Sequence, residues 1–205
     1  MALTEFDFAK YYFFEYDQTC VQALESRARK RAPNKMEDVK VIPGDCNAMV
    51  DQAGMPKAGL GLAFIDPTGI SQISFETIRK LAEDRQIDLI INFNEGMGIR
   101  MNLHQYTQSE TNALSRFVGS TGWMERYRQS PMSFDQVCSE IAKEYLANLE
   151  QLGYRSVDSG WIPVKTDQNV LLYYLLFASK HPKGNEFWHK IRRIDPYGQR
   201  SLLYP

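Results

Sequence analysis

Gly59-Leu60-Gly61-Leu62-Ala63-Phe64-Ile65-Asp66-Pro67-Thr68-Gly69 is the stretch on which the reading of this chain turns. An apolar run stops at an acid, a proline and a glycine. Bounded in this way, it suits a strand covered on both faces, as in a parallel sheet. Ligands of open α/β sheets bind just past the carboxyl ends of the strands, which would set Asp66 beside a ligand. The plainer alternative is that Asp66-Pro67 only turns the chain into the next helix.

The flanking sequence repeats the pattern. Residues 11–14 form an aromatic strand that ends at Glu15 and Asp17. Asp17 caps a helix in which Val21, Leu24 and Ala28 recur at helical spacing. Arg27, Arg29, Lys30 and Arg31 crowd its last turns, as the helix dipole favours, though such a cluster also suits a phosphate backbone. A second strand at 39–42 ends in Pro43-Gly44-Asp45-Cys46. Beyond residue 69, Ser71 or Ser74 opens a helix to about Gln86, carrying Phe75, Ile78, Leu81 and Ala82 on one face. Another buried strand, 87–93, runs into Asn94-Glu95-Gly96. Strand and helix alternate, with acids or amides at the strand ends, which argues for a Rossmann-like, doubly wound, mostly parallel sheet.

Downstream the pattern changes. Residues 99–132 read as an irregular insertion or lid, with one short helix near 109–118. Ser133 and Gln136 then form a capping box before the stripe Phe134, Val137, Ile141, Tyr145, Leu149 and Leu152, and Gly153 ends that helix. Residues 161–165 and 170–179 are strands, and the short gap between them makes an antiparallel hairpin. A last helix carries Phe187, Trp188 and Ile191, and 196–199 is loop. No repeat or linker divides residues 1–205, so a single domain is expected.

Composition narrows the classes. A 43% hydrophobic and 24% charged share belongs to a folded chain, not a disordered one. The formal net charge of −1 supplies no overall attraction to nucleic acid or an anionic membrane. No apolar run approaches the ~20 residues of a membrane span, and no signal pattern opens the chain. Cys20, Cys46 and Cys138 are scattered, without a C-x-x-C pair, so neither a disulfide framework nor a zinc site is expected. Cys20 and Cys138 lie on apolar helix faces as buried structural thiols, which fits a reducing cytoplasm. His104, His181 and His189 show no ligand spacing, and no resident metal is expected.

The strand ends carry the chemistry. An ionised carboxylate after a strand can accept from both hydroxyls of a ribose, a role that fits Glu15, with Asp17 beside it. Asp45 can accept from an adenine amine while the Cys46 N–H donates to a ring nitrogen. Asp66, with Pro67, then faces the reacting centre, and Asn92, Phe93 and Trp123 lie on the substrate side, the two rings offering a stacking surface. Such positions in order, followed by an antiparallel hairpin, make the layout of an S-adenosylmethionine-dependent methyltransferase of class I. NAD-binding folds share the ribose carboxylate; the hairpin favours the methyltransferase.

Gly61 to Gly69, Ile87 to Phe93, the run Tyr173-Tyr174-Leu175-Leu176-Phe177-Ala178-Ser179-Lys180-His181-Pro182, and Phe187-Trp188 together resemble the three-Cys-motif partner proteins of bacteria. The resemblance implies a class I methyltransferase-like fold, a cytoplasmic location, and S-adenosylmethionine as cofactor. It also implies a three-Cys-motif protein as partner. One feature departs from the pattern: these folds begin with a strand and a glycine-rich loop that lets the backbone approach the cofactor. Only ten residues precede the 11–14 strand, against about 30 for a strand, loop and crossover helix. The expectation is a fragment or a short form whose uncovered sheet edges demand self-association or a partner. Asp66-Pro67-Thr68-Gly69 also resembles the Asp/Asn-Pro-Pro-aromatic motif of DNA amino-methyltransferases, with Thr68 and Gly69 replacing the second proline and the ring. Three functions stay open: a methyltransferase, an interaction protein that kept the fold without a working cofactor site, and a metal enzyme on Glu15, Asp45 and Asp66.

Overall fold

Two β-strands open the architecture, β1 (Tyr11–Glu15) and β2 (Val39–Pro43), paired in parallel from Tyr11 beside Val39 to Glu15 beside Pro43. The computed structural model describes residues 3, 7–94, 99–155 and 161–191. These fall into two units, Met1–Pro56 and Lys57–Pro205. In the first unit, helix α1 (Gln18–Arg31) crosses over between the strands and buries Val21 and Ala28. Helix α2 (Cys46–Met49) follows β2. Tyr11 is buried, and its hydroxyl takes hydrogen bonds from the Phe8 N–H and from Lys35 Nζ.

The second unit holds a mixed sheet in the order β3 (Leu60–Ile65), β4 (Gln86–Phe93), β6 (Leu171–Ala178), β5 (Ile162–Lys165). Strands β3 and β4 are parallel, while β6 runs antiparallel to both of its neighbours. The α/β class and the closing hairpin stand as read from sequence. The hairpin turns through Asn169 at φ 63°, with the Thr166 N–H bonded to the Val170 carbonyl at 2.9 Å. The strands, however, form two sheets where one was expected. The loop at 196–199 and the glycines after Asn94 lie outside the described residues.

One face of the mixed sheet is packed by helices. Ser74 caps α3 (Phe75–Ala82), whose Phe75, Ile78, Leu81 and Ala82 are all buried. The segment read as irregular instead carries three helices, α4 (Leu103–Tyr106), α5 (Ala113–Val118) and α6 (Gly122–Gln129). It supplies Leu114, Phe117, Val118, Trp123 and Met124 to the core. Gly119 ends α5 at φ +83°, and a Cβ there would stand 2.7 Å from the Phe75 ring, so both backbone and packing demand glycine. Helix α7 (Phe134–Gln151) has the expected capping box and buries Val137, Cys138, Ile141, Tyr145 and Leu149. On the other face, Trp188 of α8 (Pro182–Ile191) stacks on Phe177 of β6 with centroids 5.0 Å apart.

Two corrections concern burial. Strand β3 was expected to be covered on both faces, yet Leu60, Leu62 and Phe64 are 91%, 47% and 62% exposed. The strand is an edge, and nothing among the described residues packs over that face. Cys20 was expected to be buried and is exposed, because the buried stripe of α1 runs through Val21 and Ala28 instead.

Two buried tyrosines make opposed tests of the packing. The Tyr145 hydroxyl has no hydrogen-bond partner among the described residues, and burial raises its pKa well above that of a free phenol. The Tyr154 hydroxyl donates to the Ile87 carbonyl of β4 at 3.0 Å. Tyr145→Phe removes a polar group left unpaired and should be neutral or stabilise by up to about 1 kcal/mol, whereas Tyr154→Phe should cost about 1–2 kcal/mol. Urea unfolding of the two variants reads the difference, and equal losses would refute the assignment of the hydroxyls.

Candidate functional site

Parallel pairing fixes which groups meet at the strand ends. The last β3–β4 pair is Ile65 with Ile91, so one step further Asp66 stands beside Asn92. There the Asn92 amide donates to Asp66 Oδ1 at 2.7 Å. Asn92 is 6% exposed, while Asp66 lies at the surface. A buried amide therefore grips one oxygen of a solvent-facing carboxylate and fixes its direction. Asn92 Oδ1 has no partner among the described residues. A Thr68–Gln72 clasp shapes the loop beyond, where the Thr68 N–H and hydroxyl both donate to Gln72 Oε1, at 2.8 and 2.9 Å. The result is a preset anionic acceptor, suited to an amine or hydroxyl.

In the first unit the strand ends are tied up locally. Glu15 Oε1 accepts from the Asp17 N–H at 2.9 Å, and the Gly44 N–H bonds the Glu15 carbonyl, joining the ends of β1 and β2. Asp17 caps α1, its Oδ1 accepting from the N–H groups of Thr19 and Cys20 at 2.8 and 2.9 Å. Those donors, Cys20 first, hold its carboxyl below the ordinary range. Asp45 caps α2 through Oδ1, which accepts the Asn47 N–H at 2.9 Å and its amide at 2.7 Å. Burial, reinforced by the Asp45 charge, pushes the Cys46 thiol up, which disfavours its thiolate form. Each of Glu15 and Asp45 keeps a second oxygen that takes no hydrogen bond from a described residue, and these are the atoms left for a ligand.

Two expected substrate residues are corrected. Phe93 is 0% exposed and Trp123 1%. Phe93 sits among Phe117, Tyr145 and Trp161 with centroids 5.0–5.5 Å away, and neither ring presents a face for stacking. Asn92 is a holder of Asp66 more than a contact surface. The register of two adjacent parallel strands was the signal in the sequence that pairs those two residues. Pro67 remains in the loop, half-buried, directly after the carboxylate.

Two shallow concavities are found among the described residues, the second of them beside Phe93 at the end of β4. One is lined by Gly122, Arg126, Glu140, Glu144 and Asn148. There Arg126 joins α6 to α7 through Glu140 at 2.9 Å and Glu144 at 2.5 Å, a helix-pinning network. The other borders Cys138, Trp161 and Tyr174. Among the described residues no three His, Cys, Asp or Glu side chains converge to hold a metal ion, and no helix is long and apolar enough to cross a membrane. No protein-family model, curated protein or solved structure matches the chain.

The Asp17 cap carries a sign that can be checked. Its folded carboxyl titrates below its ordinary value of 3.8, so its contribution is complete above that value and is lost as pH falls through the depressed one. Asp17→Asn keeps an N-cap acceptor without the titration. Between about pH 5 and pH 2 the natural chain should therefore lose more of its urea midpoint than the Asp17→Asn variant, and parallel losses would remove the cap from the pH response.

Proposed function

We propose that this chain is an S-adenosylmethionine-dependent methyltransferase-like protein of the three-Cys-motif partner type, built on a Rossmann-like sheet and working in the cytoplasm. The observation that carries the reading is the 2.7 Å hydrogen bond from Asn92 to Asp66 at the carboxyl ends of two parallel strands. In such sheets that is where ligands bind. Support also comes from β6, which enters antiparallel between β4 and β5 at the far side of the same sheet.

The residues present fit the cofactor in part. The free oxygens of Glu15 and Asp45 suit ribose hydroxyls and an adenine amine, and the Cys46 N–H suits a ring nitrogen. When bound, the cofactor supplies a methyl group on a sulfonium, an electrophile that needs no covalent help from the protein. What the chain adds is alignment. Asp66, fixed by Asn92, accepts the hydrogen bond of an incoming amine or hydroxyl, points its lone pair, and takes up the proton that the nucleophile sheds. Pro67 stiffens the turn that carries the carboxylate.

A second reading is an interaction protein without turnover. One set of contacts favours it: Glu15, Asp17 and Asp45 all have local capping or turn-closing work, sufficient by itself to account for acids at those positions.

Calorimetric titration of the purified chain with S-adenosylmethionine and S-adenosylhomocysteine separates the two. On the methyltransferase reading, binding is saturable and weakens at least about tenfold in Asp45→Ala, with far-UV circular dichroism unchanged. Heat absent up to about millimolar ligand removes the cofactor and leaves the interaction reading.

A further inference from the structure

Strands β3 and β5 are the two edges of the mixed sheet, and they differ in kind. Strand β5 carries Pro163 and Lys165, and its ladder slips in register between Val164 and Lys165. These are the devices by which natural sheets keep their edges from pairing. Strand β3 has none of them. Its six residues, Leu60–Ile65, include no charge, no proline and no bulge. Gly61, Ala63 and Ile65 alternate with the exposed Leu60, Leu62 and Phe64, so the open edge is bordered by an uncovered apolar stripe.

We propose that β3 pairs with the β3 strand of a second copy of this chain, antiparallel about a two-fold axis at Leu62. The four strands of each copy thereby join into one continuous sheet. Directly opposed residues of an antiparallel ladder share a face. Centring the ladder on Leu62 sets Leu62 against Leu62 and Leu60 against Phe64 twice, so every residue of the stripe meets another residue of the stripe. Centring on Ala63 leaves Leu60 without an apolar partner.

Charge selects the same orientation. Lys57 precedes the strand and Asp66 follows it. Lys57 pairs with Asp84 at 2.9 Å, but both side chains are two-thirds exposed, so the ammonium keeps the freedom to reach a neighbour. Antiparallel pairing brings Lys57 of each copy towards Asp66 of the other. A parallel pairing stacks Lys57 on Lys57 and Asp66 on Asp66, and turns the two stripes to opposite faces. The interface is isologous and closed, which gives a dimer and not a filament. The inference rests on β3 alone and needs no cofactor.

Sedimentation equilibrium of the purified chain between about 1 and 100 µM should show a species of twice the 23.7 kDa chain mass. Phe64→Lys sets a charge in the stripe at an exposed position and should weaken association at least about tenfold, with the urea midpoint retained. Lys57→Glu should weaken it less, and added salt should weaken the natural dimer. Independently of those variants, Leu62→Cys in a chain with Cys20→Ser and Cys46→Ser should oxidise to a covalent dimer through the axis. A single-chain mass throughout overturns the proposal. So does a dimer indifferent to Phe64→Lys, a Leu62→Cys chain that does not cross-link, or a complex formed only with a different protein.

Discussion

The larger unit depends on β4 being buried while bonded on both sides. Its inward residues Leu89, Ile91 and Phe93 are each 0% exposed, and its two ladders run parallel to β3 and antiparallel to β6. A strand in that position has its backbone groups paired by neighbours and its side chains packed by helices, so its register is strongly fixed. The ring cluster is built on the same strand. Phe93 touches Phe117 and Tyr145, which stack at 5.0 Å with planes 10° apart, and Tyr145 also meets Phe75 edge-on. Tyr145 of α7 thus ties α3 and α5 to the sheet. Lys180 adds a polar clamp, donating to the carbonyls of Ala82 and Arg85 where the chain leaves α3 for β4.

That rigidity is what gives the Asp66–Asn92 pair its chemical meaning. Asp66 follows an edge strand and faces solvent, and such a carboxylate would ordinarily sample several directions. The amide that grips it grows from the most constrained strand in the unit, so the carboxylate inherits a fixed direction from the core. The acids of the first unit are held differently. Each is fixed by N–H groups of the turn or helix that follows it, within two or three residues of chain. Local capping and ligand recognition are compatible there, because capping uses one oxygen of Glu15 and of Asp45 and leaves the other.

What the sequence made legible follows from the range over which each feature is decided. The capping box at Ser133 and Gln136 and the stripe from Val137 to Leu149 are local, and both are present as read. So are the caps at Asp17 and Ser74. Residues 99–132 misled because α4 and α5 span four and six residues, too short to display a helical stripe, and α6 buries only the adjacent Trp123 and Met124. Their order comes from packing, as the buried Leu114, Phe117 and Trp123 attest. Phe93 and Trp123 were misassigned for a related reason. An aromatic residue near a strand end has the same composition whether it faces a ligand or a helix, and only the tertiary partner decides. Strand β3 shows the converse, since an apolar run on both faces states what could be buried and not what is.

The same strand that carries the reactive end of the proposed site also carries the unprotected edge, and the two are adjacent for a physical reason. A carboxylate at the end of a parallel strand needs a straight, regular strand to aim it, without the bulge or proline that would deter edge pairing. A register slip like that of β5 would, on β3, shift the step that brings Asp66 beside Asn92. Regularity at the site therefore leaves an exposed ladder, and pairing that ladder is the way to keep both. If two copies join along β3 as inferred, Lys57 of one lies towards Asp66 of the other. Ligand and second copy then act on a single carboxylate. Binding at one is then thermodynamically coupled to the other, reciprocally, by whatever that shared charge contributes.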